Sequence, residues 1–154
     1  MQEQFFTSKQ AAQITGCTLR QLQYWRDKEV VVPAISGTGT GRSIYYSESD
    51  LAGLVVMEYL LFLGLSFEVC RENLRVLQQA EPGFFAKPLT EGQTSRYMLW
   101  RREPRVALEL GRYNQALAAE VIAQGQPVIP LWIDLIQQRL LETMKAMGYK
   151  SSGL

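Results

Sequence analysis

Arg20, Gln21, Tyr24 and Lys28 line up on one side of residues 19–28 when successive positions are set about 100° apart on a helix. A guanidinium, an amide, a phenol and an ammonium in one row are the groups that hydrogen-bond base edges and phosphate oxygens. Leu19, Leu22 and Trp25 fall on the other side, which predicts that this side packs inward. In isolation the polar row reads as an ordinary solvated face. What shifts the reading is its neighbour, where Gly37, Gly39 and Gly41 alternate with Ser36, Thr38 and Thr40 before Arg42-Ser43-Ile44-Tyr45-Tyr46. A strand, glycine-rich loop and strand of this kind has no bulk to keep it from a duplex. A phosphate cradle over residues 37–41 is disfavoured, because no lysine with serine or threonine follows and no strand-to-helix turn surrounds it.

The elements that must hold this row are signalled by their ends. Thr7-Ser8-Lys9-Gln10 and Thr18-Leu19-Arg20-Gln21 both match the capping box, S/T followed three residues later by E/Q. Gly16 lies between them where a helix C-cap glycine belongs. Two caps this close predict a tight helix-turn-helix, with residues 35–46 as a wing. Ser47 with Glu48 and Asp50 predicts a further helix, largely buried through Leu51, Leu54, Val55, Met57, Leu60, Leu61 and Leu63, and stopped by Gly64. Ser66 caps another over residues 67–80, packing through Val69, Cys70, Leu74 and Leu77. Glu81-Pro82-Gly83 predicts a domain boundary, which separates residues 5–80 from 84–148.

In that second part, residues 84–94 read as irregular. Residues 97–101 and 106–110 predict a β-hairpin around Arg102-Glu103-Pro104-Arg105, since both arms are rich in strand formers. Residues 113–123 suggest a short helix closed by Gly125. A short extended piece lies between Pro127 and Pro130, and a terminal helix is expected from near Pro130 to Met147. Its stripe of Ile133, Ile136, Leu140, Met144 and Met147 is the candidate dimer interface, the alternative being that it only packs on the chain's own hairpin. The fold class expected is mainly α with small β elements (α+β).

Composition narrows the chemistry. The 154 residues carry a net charge of +1, yet residues 7–46 hold Lys9, Arg20, Arg26, Lys28 and Arg42 against only Asp27 and Glu29. A locally basic face suffices for DNA, because only the contacting face must neutralise phosphates. With no histidine and no converging carboxylate pair, catalysis is not expected. Cys17 and Cys70 are too few for a zinc site and read as small buried apolar groups, so neither metal nor cofactor is expected. No uninterrupted apolar run approaches about 18 residues, and Met1-Gln2-Glu3-Gln4 lacks a signal-peptide pattern. No membrane association and a cytoplasmic location are the expectation.

Residues 5–80 resemble the DNA-binding domain of the MerR family of transcription regulators. The resemblance rests on Thr7-Ser8-Lys9-Gln10-Ala11-Ala12, Ile14-Thr15-Gly16-Cys17-Thr18, Leu22-Gln23-Tyr24-Trp25-Arg26, Pro33, Tyr46-Ser47 with Asp50-Leu51, and Leu63-Gly64-Leu65-Ser66. It implies a homodimer on a palindromic or near-palindromic site in double-stranded DNA, often a distorted promoter. It implies DNA contacts from Thr18, Arg20, Gln21, Gln23, Tyr24 and Lys28 on the recognition helix, and from Arg42, Ser43 and Tyr45 in the wing. Trp25, where the family often has a second tyrosine, is expected in the core. The family often has arginine at the positions of Gln23 and near Ile44, so the phosphate contacts differ in detail. The second half lacks the family's long dimerisation helix and sensing cysteines, which disfavours metal sensing and a small-molecule effector. This compact layout is similar to the small MerR-type repressors that accompany type V-K CRISPR-associated transposons in cyanobacteria, which implies repression of the element's own genes.

The reading is a sequence-specific, dimeric transcriptional repressor. Two alternatives stand beside it. One is an effector-gated switch with a pocket lined by Trp100, Tyr113 and Trp132. The other is an excisionase-like adaptor of recombination machinery. Arg101, Arg102 and Arg105 at the hairpin tip are either extra phosphate contacts or a solvated turn.

Overall fold

The computed structural model describes residues 4–36, 43–86 and 94–150. In chain order the elements are β1 (Phe5–Thr7), α1 (Ser8–Thr15), α2 (Leu19–Asp27), β2 (Ile35–Ser36), β3 (Ile44–Ser47), α3 (Glu48–Phe62), α4 (Phe67–Ala80) and α5 (Pro82–Ala86). They continue with β4 (Arg96–Trp100), β5 (Glu109–Arg112), α6 (Gln115–Ala123), β6 (Val128–Trp132) and α7 (Ile133–Ala146). The class is the expected one, helices with two small antiparallel sheets. The elements form two compact units, one of Met1–Thr90 with Gln137–Leu154, the other of Glu91–Ile136.

The first unit is organised around α3. Its sequence is apolar on nearly every side, so it is buried through Leu51, Leu54, Val56, Met57 and Leu60 and takes α1, α4 and α5 against it. Both predicted capping boxes close. The Gln10 amide donates to Thr7 Oγ1 at 3.1 Å while Gln10 Oε1 accepts the Thr7 N–H at 2.9 Å. Gly16 ends α1 at φ 80°, a left-handed conformation that costs a glycine little. A β-strand not anticipated from the sequence, β1, pairs with β3 so that Phe6 stands opposite Tyr46, both buried. The sheet order is β1-β3-β2.

The second unit has β4 at the centre of a sheet ordered β5-β4-β6. The predicted hairpin is present, but its second arm is Glu109–Arg112 rather than residues 106–110, with Trp100 opposite Glu109. On one face Met98, Trp100 and Val128 pack on Leu117, Ala118 and Val121 of α6. Gly111 allows this, since a Cβ there would lie 2.9 Å from Trp100 Cη2.

Two expectations for the second half are corrected. Pro82 opens a short helix, α5, instead of breaking the chain: proline is tolerated in a first helical turn, and Phe84 is buried from there. Pro130 lies in strand β6 opposite Met98, at a sheet edge where no N–H is demanded, so α7 starts only at Ile133. Exposure varies along the α7 stripe. Ile133, Leu140 and Met144 are buried within the chain, Ile136 is half-buried, and only Met147 is exposed. Residues 137–150 return to the first unit, where the Tyr149 ring meets Phe6 edge-on at 5.2 Å and the Gln4 side chain donates to the Lys150 carbonyl. The compact unit of residues 91–136 takes in part of 84–148, the span expected as a dimerisation module.

Candidate nucleic-acid interface

Helix α2 is set by its ends. The Gln21 N–H donates to Thr18 Oγ1 at 3.0 Å, and Gln21 Oε1 accepts the Thr18 N–H at 2.9 Å. At the far end Glu29 adopts φ 57° and the Val30 N–H returns to the Trp25 carbonyl at 2.8 Å, which closes the last turn. Leu22 and Trp25 are buried at 1% exposure each and anchor the helix, as expected for Trp25. Leu19, expected inside with them, is 55% exposed: at the first helical position it lies beyond the reach of the packed elements.

Arg20, Gln23, Tyr24 and Lys28 are all exposed, together with Thr18 and Asp27. Tyr24 is braced from another helix, its ring meeting Phe67 of α4 at 5.0 Å and 62°. The Lys28 ammonium stands 5.7 Å from the Tyr24 ring centre, and the Arg71 guanidinium 5.6 Å from that of Phe67. Arg71 also pairs with Glu68, one turn back on α4. Phe67 and Arg71 had no signal in the sequence beyond the Ser66 cap, because nothing local says which helix α4 faces.

In the wing, Ser43 is exposed and Tyr45 is half-buried between Thr7 and Ile35 in the sheet register. Arg42 and the loop glycines lie outside the described residues. The adjacent Tyr46 is what α2 reaches, through a long Arg26 Nη1 donation to its hydroxyl at 3.5 Å. Burial pushes the Tyr46 phenol up, and Arg26 partly opposes this. The wing stem is tied to α3 by Asp50, whose Oδ2 accepts the N–H of Ala34 at 2.9 Å and that of Ser47 at 2.8 Å.

The other sites weighed from the sequence come apart. Tyr113 and Trp132 meet edge-on at 4.7 Å, with Arg96 over Trp132 at 5.3 Å. Trp100, however, is at the opposite end of β4, paired with Val128 and covered by α6. The three aromatics do not line one pocket. Arg101 donates to Gln126 at 3.1 Å and Arg102 pairs with Glu109 at 3.5 Å, so two of the three tip arginines have partners in the fold. Cys17 and Cys70 are buried with thiols pushed up to about 11 by desolvation. Among the described residues no three acidic, histidine or cysteine groups cluster, and no helix is long and apolar enough to cross a membrane.

The two capped helices, the wing stem and α3–α4 coincide with residues 6–77, which match the family described as MerR HTH family regulatory protein. Residues 6–77 form a MerR-type helix-turn-helix domain. The chain is also similar to uncharacterized HTH-type transcriptional regulators of Mycobacterium bovis and of two strains of Mycobacterium tuberculosis, each 40% identical over 70 residues. That match takes in 45% of this chain and 31% of each relative, so it covers less than a third of the relatives' length. The family match ends at residue 77, so β4 to β6 and α7 lie outside it.

Proposed function

We propose that this chain is a non-catalytic transcription regulator whose MerR-type domain reads double-stranded DNA with the exposed side of α2. The observation that carries the reading is the row Arg20, Tyr24 and Lys28, exposed on a helix fixed by a closed capping box and by buried Leu22 and Trp25. A helix of this size fits the major groove, where arginine pairs with guanine and a phenol or ammonium takes further base or phosphate acceptors. Gln21 plays a reduced part. Its Oε1 already accepts the Thr18 N–H, which holds the side chain against the start of α2. Bidentate reading of adenine needs the donor and the acceptor of the amide aimed together at one base, and the cap competes with that pose. Thr18 Oγ1 is likewise engaged with the Gln21 N–H.

The finer reading is a homodimeric repressor on a palindromic promoter site, of the kind found beside type V-K CRISPR-associated transposons. It draws on the resemblance of residues 5–80 to the MerR family. Gel shifts on the duplex upstream of the chain's own gene test it, with light scattering for the mass of the bound species. Retarded migration that survives a large excess of unrelated duplex, with two copies per site, is expected. Equal affinity for all duplexes would remove the sequence-specific reading, and one copy per site would remove the dimer.

A further inference from the structure

Four side chains from two helices stack into one continuous ladder: Arg71 over Phe67, Phe67 edge-on to Tyr24, and Tyr24 under Lys28. Tyr24 is 46% exposed, and among the described residues its hydroxyl takes no hydrogen bond, so no polar contact of its own fixes the ring. A solvent-facing tyrosine with free rotamers would have to be ordered when it meets a base edge. That ordering costs affinity, and a side chain already held in place escapes the cost. The contact with Phe67 supplies such a hold, because edge-to-face aromatic pairs favour one relative orientation over others. Lys28 adds to it by sitting against the same ring.

Resting on the proposed reading of DNA by α2, we infer that Phe67 is a positioning residue for sequence discrimination. Lying on α4, it holds the Tyr24 phenol in the orientation that meets the groove and does not itself carry base readout. Its place is suited to this. As the first residue of α4, after the Ser66 cap whose Oγ accepts the Val69 N–H at 3.3 Å, Phe67 belongs to a helix anchored by buried Cys70, Asn73, Leu74 and Leu77. The rigidity of α4 is thereby passed to a side chain on α2. Arg71 is held by Glu68 as well as by the ring, so it completes the ladder more than it offers a free cation.

The test uses a duplex selected by the full wild-type chain from a randomised pool, with a scrambled duplex as reference. Phe67→Leu keeps apolar bulk at the surface and removes the ring, while Phe67→Tyr keeps the ring. Phe67→Leu is expected to weaken binding to the selected duplex by roughly threefold to tenfold, the scale of ordering one side chain. Binding to the scrambled duplex and the salt slope should stay as in wild type, because the Tyr24 phenol is uncharged and releases no counterion. Phe67→Tyr should restore discrimination. In a Tyr24→Ala background, Phe67→Leu should have little further effect, since it acts through that ring. If the wild-type chain selects a duplex and Phe67→Leu discriminates as well as wild type, or loses as much in the Tyr24→Ala background, the positioning role is overturned while DNA reading stands. If the wild-type chain selects nothing, DNA reading fails, and the positioning role falls with it.

Discussion

The Asp50 carboxylate reaches back to the backbone of Ala34: a single oxygen accepts the Ala34 N–H at 2.9 Å and the Ser47 N–H at 2.8 Å. The residue that completes the capping box of α3 therefore also sets where the chain enters the wing. Removing the carboxylate leaves two backbone donors without their acceptor. Asp50→Ala is expected to lower stability by about 1–2 kcal/mol, read as a reduced urea midpoint at unchanged slope. Asp50→Asn, which keeps one acceptor oxygen, should lose less. A midpoint shared by Asp50→Ala and wild type would mean the tie carries no weight.

On the exposed side of α2, charge and readout should separate. Arg20→Ala and Tyr24→Ala are each expected to cost about 1–3 kcal/mol of discrimination between the chosen site and other duplexes if they meet a base. Asp27 shares that exposed surface with its negative charge. Asp27→Asn should tighten binding to all duplexes alike, with the gain fading at high salt as repulsion from phosphates is screened. Binding curves against salt decide this, and a gain restricted to one sequence would contradict it.

In the sheet of the second unit, Gly111 leaves room for the outer ring of Trp100. Gly111→Ala places a methyl 2.9 Å from Cη2 and 3.1 Å from Cζ3. Overpacking of this kind costs roughly 1–3 kcal/mol, seen as a lower melting temperature. Trp100→Phe removes those ring atoms, so the double variant should lose less than the two single losses added together. Strict additivity would show that the clash is relieved by some other route.

The two thiols give a pH dependence of stability. Cys17 and Cys70 are both held near 11 by burial, above the ordinary thiol value of 9.0. Below that ordinary value both folded and unfolded chains keep the proton. Between about pH 9 and 11 the unfolded chain releases it first, so stability falls as pH rises through this window. Replacing both cysteines by alanine should flatten the slope of the urea midpoint there. At pH 8 neither thiol should react with iodoacetamide until urea unfolds the chain, and rapid labelling of the native chain would show that the burial is not maintained.

Much of the first unit was legible in its residues because its determinants are local. A capping box needs only Thr7 and Gln10, or Thr18 and Gln21, within one turn, and both close as expected. The burial of Leu22 and Trp25 follows from helical spacing alone. Leu19 shares that spacing yet faces solvent, because periodicity says which side a residue is on and not how far the packed surface extends.

What the sequence by itself determined was the helix-turn-helix with its wing stem, and the polar row offered on α2, since hydrogen bonds over three or four residues are written in adjacent side chains. Only the tertiary structure decided that Phe67 stands against Tyr24, that Asp50 holds Ala34, and that the end of α7 returns to the first unit and buries Leu140 and Met144. It also decided that Pro130 belongs to a sheet edge rather than to a helix start. The physical reason is common to all of these. Each depends on which apolar surface meets which, and burial of apolar area is non-directional, so a stripe such as that of α7 announces that it will be covered without saying by what.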